Sequence, residues 1–213
     1  MTPFSAQLRS ATWPHHQRAE STAYLDALVH GRVDQRGYAA MVAQHYFAYV
    51  VLEEAGRAMR GDPVAGPFVT PELERAPSLV DDLTALLGPT WAEVITPNAA
   101  TVRYCDRMHR ICFDWPGGFV AHHYTRYLGD LSGGQFLRRG VEKRLGLDPS
   151  TGTRFYVFDR IGDLDMFKAG YRAKLDHAPW NAEEKEAITA EAALAYDLNT
   201  QVLVELGHRH LSP

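Results

Sequence analysis

Residues 127–135 read Tyr-Leu-Gly-Asp-Leu-Ser-Gly-Gly-Gln, and this stretch limits what the rest of the chain can become. Apolar residues flank it at Phe119, Val120, Tyr124, Phe136, Leu137 and Val141. Their spacing of three to four is the period of a half-buried helix, not of a strand. Yet Gly129, Gly133 and Gly134 sit in the middle of that pattern. Each glycine inside a helix costs about 1 kcal/mol relative to alanine. A helix that keeps three of them gains something elsewhere, through close approach of its backbone to another helix or to something flat or bulky. The small residues also predict a kink. Asp130 is a lone carboxylate among them, either paired with Arg126 one turn earlier on a solvated face or part of a site. A phosphate-binding loop is excluded, because neither GxxxxGK[ST] nor GxGxxG is present and no strand pattern precedes the glycines.

The other segments also read as helix. Residues 4–29 carry a helical apolar pattern that Gly31 ends, with Pro14 forcing either a kink or a start near Thr12. Asp34 is suited to cap a helix running to about Met59. A proline- and glycine-rich connection covers 61–71, and Ser78 is expected to cap a shorter helix closed by Gly88. Thr96-Pro97 opens another through Phe113, and Pro116-Gly117-Gly118 leads into the glycine-bearing helix, which runs to about Leu145. Residues 146–160 read as a loop, 162–176 as a helix, and Asn181 as the cap of a last helix through about Leu206. No repeat, low-complexity tract or linker interrupts residues 1–213, so the expectation is one all-α domain, a helical bundle with a kinked central helix.

Composition narrows the function classes. The 46% hydrophobic and 23% charged fractions are those of a soluble globular protein. A net charge of -4 without a basic run argues against a nucleic-acid partner. Cys105 and Cys112 are seven apart, roughly 10 Å along one helix, which favours reduced thiols over a disulfide. The first residues lack an apolar signal core, and no apolar run is long enough to span a membrane. The expectation is a cytoplasmic, monomeric protein with no membrane association.

Candidate chemistry starts at His16 and Glu20, which share a helical face four residues apart. A neutral imidazole is a good axial ligand for haem iron, and a carboxylate on its other nitrogen fixes the tautomer. Taken alone, the pair is first an exposed histidine near a helix start with an ordinary i,i+4 contact. His122 and His123 are adjacent and point about 100° apart, which suits no shared metal. His30, His45 and His109 default to surface or satisfied interior positions. A carboxylate-bridged di-iron site would need Asp106 with His109 and Glu205 with His208, a poor set. Tyr49 reads as an interior tyrosine. Lys168 and Arg172 form one cationic edge, suited to carboxylates or simply solvated. Arg138, Arg139, Lys143 and Arg144 form another.

At these residues the chain, from about 4 to 207, resembles the haem oxygenases, nearest their soluble bacterial type. Residues 122–135, HHYTRYLGDLSGGQ, resemble the family's distal helix, and residues 16–32, HQRAESTAYLDALVHGR, its proximal helix without gaps. The resemblance implies that haem b, both cofactor and substrate, lies between the two, with His16 as iron ligand and Glu20 as its partner. It implies that Gly129, Gly133 and Gly134 face the haem. Asp130 would anchor a proton-donating water network with Tyr49, Arg126 and Asn199. Lys168, Arg172, Tyr124 and Arg9 would hold the propionates. The implied reaction takes haem, oxygen and electrons to biliverdin, ferrous iron and carbon monoxide. The electrons would come from a ferredoxin, a flavodoxin or an NAD(P)H reductase docking near Arg138, Arg139, Lys143 and Arg144. Trp13-Pro14 departs from the family pattern and puts Arg9's place in question, and His15 is a rival ligand. A haem carrier on the same fold and a di-iron oxidase are the alternative functions.

Overall fold

The structure, a computed structural model, describes residues 2–148 and 151–211. Helix α1 spans Phe4–Glu20 and α2 spans Ala23–Val29. Pro14 lies inside α1, so of the two readings of this proline the helix start near Thr12 is the one that does not occur. The chain breaks at Ser21 and Thr22 instead. The Ser21 hydroxyl bonds back to the Arg18 carbonyl at 3.2 Å and the Thr22 hydroxyl to the Ala19 carbonyl at 3.0 Å. Such local bonds compete with the helix ladder, which is why serine and threonine interrupt helices.

Helix α3, Gln35–Met59, begins where Asp34 accepts from the Gly37 amide at 2.7 Å. Two later helices start elsewhere than the sequence predicts. Helix α4, Ala76–Leu87, opens before Ser78, because the Glu53 carboxylate on α3 accepts from the Arg75 and Ala76 amides at 2.5 and 3.0 Å. Helix α5 is a single turn, Trp91–Val94, that the sequence reading lacks. Helix α6, Ala99–Ile111, opens at Asn98 rather than Thr96, with the Asn98 side chain accepting from Thr101 at 2.7 Å. Glu205 covers the Ala99 and Ala100 amides at 3.2 and 2.8 Å. In both cases a distant carboxylate satisfies the first turn, a contact invisible to local pattern.

The glycine-bearing region is kinked, as expected. Helix α7, Pro116–His123, passes into a π-helical turn at Tyr124–Leu128, then α8, Gly129–Ser132, and α9, Gly134–Leu145. A π turn widens the helix locally and is often found at functional sites. Within it the Thr125 hydroxyl bonds the Ala121 carbonyl at 2.9 Å. Gly146, at φ 64°, ends α9 in the left-handed conformation that glycine alone adopts freely.

Pro149 and Ser150, in the predicted loop, lie outside the described residues. The rest of that loop is pinned. Asp82 accepts from the Arg154 and Phe155 amides at 2.7 and 2.8 Å, and Arg75 donates to the Val157 carbonyl at 2.5 Å. Helix α10, Leu164–His177, starts at Asp163, and α11, Ala182–His210, starts with a capping box between Asn181 and Glu184. No strand occurs among the described residues. Helix α11 packs against α1, α6 and α7, while α3 packs against α4 and α6. The two adjacent histidines are interior. His122 bonds Glu191 at 3.0 Å, and His123 bonds the Tyr171 hydroxyl at 2.9 Å.

Candidate functional site

A cavity of about 550 Å³ opens between α1, α3, α8 and α11, within the ~300–1,000 Å³ typical of small-molecule sites. Helix α1 contributes His16, Ala19 and Glu20, and the distal segment contributes Thr125, Arg126, Gly129, Asp130 and Gly133. Tyr196, Asn199 and Leu203 line it from α11 and His45 from α3. Phe136, 64% exposed, stands at the rim with Leu25, Val29 and Leu137.

On one wall, His16 Nδ1 lies 3.3 Å from Glu20 Oε2. The distance is within reach, yet the alignment falls short of a hydrogen bond, and the buried Nδ1 has no other partner. Trp13 stacks on the His16 ring at 5.2 Å and 10°, and Tyr196 meets it edge-on at 5.7 Å. His15 turns away, its ring bonded to Asp197 of α11 at 2.8 Å, so it is no rival at this wall. Because α1 continues through Pro14, Arg9 stays in register one turn above Trp13, whose ring its guanidinium approaches at 5.9 Å. Arg9, Tyr124 and Arg172 line an adjoining groove of about 290 Å³ that also touches His16, Gly129 and Gly133. Lys168 lies outside that lining and pairs with Asp165 at 2.8 Å.

The opposite wall is bare backbone. A methyl group placed on Gly129 would meet nothing within 4 Å, and one on Gly133 would find only Gly129 O at 3.7 Å and Glu20 Oε1 at 3.9 Å. Gly134 also lines the cavity, but its hydrogen is demanded by packing, since a methyl there would meet Tyr156 Cδ1 at 2.8 Å.

Behind the glycines the predicted polar residues come together. The Tyr49 hydroxyl donates to Asp130, so this half-buried carboxylate is tied to the interior of the bundle. Arg126 Nη1 donates to Asn199 Oδ1 at 2.5 Å, and its guanidinium carbon lies 4.8 Å from the Tyr49 ring centre. Burial raises the Asp130 pKa above the usual carboxylate range, opposed by Arg126 and by the Tyr49 bond. Burial and then the Asp130 charge push the Tyr49 hydroxyl well up. Burial alone would weaken the Arg126 charge, but Tyr49 and Asp130 reverse this and hold it protonated. The structure adds His45, whose Nδ1 lies 3.2 Å from Arg126 Nη2. Its signal was present in the sequence, because His45 and Tyr49 are four apart and share one face of α3.

The di-iron alternative finds no support. No group of three or more metal-ligating side chains occurs among the described residues, and Glu205 is occupied capping α6. The family model for haem oxygenase matches residues 2–205. The chain belongs to the haem oxygenase family. It is 38% identical over 200 residues to the haem oxygenase of Porphyra purpurea, covering 94% of this chain and 85% of that one. To haem oxygenase 2 of Synechocystis it is 37% identical over 209 residues, covering 97% and 84%. The crystal structure of haem oxygenase-1 from Synechocystis in complex with haem superposes with a TM-score of 0.93 at 34% identity, covering 98% of this chain and 94% of that one. The haem oxygenase structure from Leptospira interrogans gives 0.91 at 34% identity, covering 96% and 100%. The chain is therefore a haem-degrading enzyme for which haem is both substrate and prosthetic group. No helix among the described residues is long and apolar enough to cross a membrane.

Proposed function

We propose that His16 and the Gly129–Gly133 backbone form the two faces of the haem site, and that Asp130 is its proton-handling group. The observation that carries this reading is the pairing of an imidazole wall with a glycine wall across one cavity. The residues fit the group. His16 Nδ1 is buried without a hydrogen bond, with Glu20 3.3 Å away, ready to orient the ring. Haem, when bound, supplies both the iron that activates oxygen and the carbon skeleton that is cleaved.

The chain's own residues do the rest. Gly129 and Gly133 leave room at the distal face that any side chain would fill. Asp130 is held by Tyr49, beside an Arg126 that Asn199 anchors. A half-buried carboxylate with a raised pKa, set among donors, would hold and pass a proton at this wall of the cavity. Arg9, Tyr124 and Arg172 line the adjoining groove, where they would hold the haem propionates by charge-assisted hydrogen bonds. Lys168, paired with Asp165 at 2.8 Å outside that lining, is the fourth residue proposed for the propionates.

Electrons come from a partner protein, a ferredoxin, flavodoxin or NAD(P)H reductase. Arg139, Lys143 and Arg144 are exposed on α9 near the cavity rim and suit an acidic partner. A monomer in the cytoplasm completes the proposal, in keeping with two free cysteines. Haem titration followed by product chromatography tests the assignments. His16→Ala loses tight haem binding and most turnover. Asp130→Ala binds haem one-to-one but loses most biliverdin. Normal turnover by the Asp130 variant would remove its proton role, and unchanged haem binding by the His16 variant would remove the ligand.

A further inference from the structure

His45 lines the cavity from α3, and nothing in the family resemblance above gives it a role. Its partner decides its chemistry. Arginine carries five N–H donors and no acceptor. A contact of 3.2 Å between Arg126 Nη2 and His45 Nδ1 is therefore a hydrogen bond only if Nδ1 offers a lone pair. The ring proton then sits on Nε2, and the ring is neutral. A protonated ring would set a second cation against Arg126 in a closed site. Burial, and after it the Arg126 charge, pushes the His45 pKa well below the ordinary value, in the same direction.

We infer that His45 is a positioning residue for Arg126: its neutral Nε2–H tautomer accepts from the guanidinium and fixes it over Tyr49, leaving Nε2–H as a further donor at the cavity wall. The geometry makes Arg126 depend on this bond. Asn199 holds Nη1 from α11, His45 holds Nη2 from α3, and the Tyr49 ring supports the flat face. Arg126 Nε is already buried without a partner. Removing the His45 acceptor would orphan a second donor of the same guanidinium. The His45 ring is itself held, at 5.3 Å and 40° from Phe155, on the turn that Asp82 pins. The groups around it are Arg126 from the distal helix, with Asp130 beyond Tyr49, Tyr49 from its own helix, uncharged Asn199 from α11 and uncharged Phe155 from the turn.

The positioning claim concerns the ligand-free protein, and only its kinetic arm rests on the haem-site reading above. Long-range proton–nitrogen NMR of the labelled, haem-free chain at about pH 6, below the ordinary histidine pKa, reads the tautomer directly. The expected result is an unprotonated Nδ1 and a protonated Nε2. An imidazolium, or a proton on Nδ1, would overturn the inference. His45→Asn keeps an acceptor near Nδ1, whereas His45→Leu removes it at similar size. The Arg126 guanidinium signals should stay resolved in the wild type and in His45→Asn, and average by rotation in His45→Leu. With haem and an electron donor, His45→Leu should lower kcat about ten-fold at unchanged KM for haem, and His45→Asn should restore it. Resolved Arg126 signals in His45→Leu, or equal loss of kcat in both variants, would show that His45 only fills space.

Discussion

Tyr49 on α3 donates its hydroxyl to Asp130, a residue 81 positions later on the distal helix. The bond ties the Asp130 carboxylate, which lies among the glycines in sequence, to the rigid interior of the bundle. Tyr49→Phe keeps the ring beneath Arg126 and removes only the donor. Urea denaturation of the haem-free variant should show a loss of about 1.5–3 kcal/mol, the scale of a hydrogen bond to a charged group. Biliverdin formation should slow while haem still binds. Unchanged stability and rate would mean that the bond does not hold Asp130.

Gly129 and Gly134 are predicted to behave differently. Gly129→Ala adds a methyl that meets no atom within 4 Å, so the helix should gain about 0.5–1 kcal/mol from the better helix former. That methyl occupies the space assigned to haem, and haem affinity should fall. Gly134→Ala drives a methyl to 2.8 Å from the Tyr156 ring and should destabilise the fold by about 1–3 kcal/mol. Denaturation curves beside haem titrations separate the two effects. A stable Gly129→Ala that binds haem as tightly as the wild type would contradict the distal assignment.

Much of this site was legible in the sequence, and the residues that were not share a cause. The distal helix was readable because three glycines in a helical pattern demand an explanation, and Asp130 stood out among them. The cap at Asn181 and the one at Asp34 were readable because their partners lie within three residues. The starts of α4 and α6 were not, since Glu53 and Glu205 reach them across 22 and 106 residues. The helix start near Thr12 that Pro14 allows is absent for a related reason. The proline's missing donor is tolerated within a helix that packs along α11, whereas the hydroxyls of Ser21 and Thr22 compete with the ladder directly. His45 shares a face of α3 with Tyr49, but its role depends on Arg126, 81 residues away, which no local pattern shows.

Glu191 sets an acid limit on stability. Burial raises its pKa, but hydrogen bonds from His122 and Arg107 outweigh burial and bring it down to about 2. The bonds measure 3.0 Å to His122 and 3.0 and 2.5 Å to Arg107. A carboxylate whose folded pKa is depressed contributes its stability above the unfolded value, about 4.5, and loses it as pH falls toward 2. The shift corresponds to about 3 kcal/mol at most. His122, held neutral by burial, adds to the loss below the ordinary histidine pKa. Haem-free protein should therefore lose stability steeply on acidification through this window, and Glu191→Gln should be less stable at neutral pH with a flatter profile. An identical profile for the variant would remove Glu191 from the account.

The basic face of α9 predicts a salt-sensitive electron supply. Arg139 and Lys143 are exposed and four apart, whereas Arg138 is bonded to Glu142 at 2.7 Å. Reversing Arg139 and Lys143 to glutamate should slow ferredoxin-driven turnover at least several-fold at low salt and leave dithionite reduction of the haem-loaded protein untouched. Ferredoxin-driven rates equal to wild type at low ionic strength would place the docking surface elsewhere.

The central claim is that His16 and the bare backbone at Gly129 and Gly133 hold a haem which the chain itself destroys. Equimolar haem added to the purified protein, followed by reductant and air, tests this most directly when absorbance is recorded and the product is resolved by chromatography. Loss of the haem bands with one equivalent of biliverdin is the predicted result. Haem absorbance that persists through many equivalents of reductant would contradict it and leave a carrier in place of an enzyme.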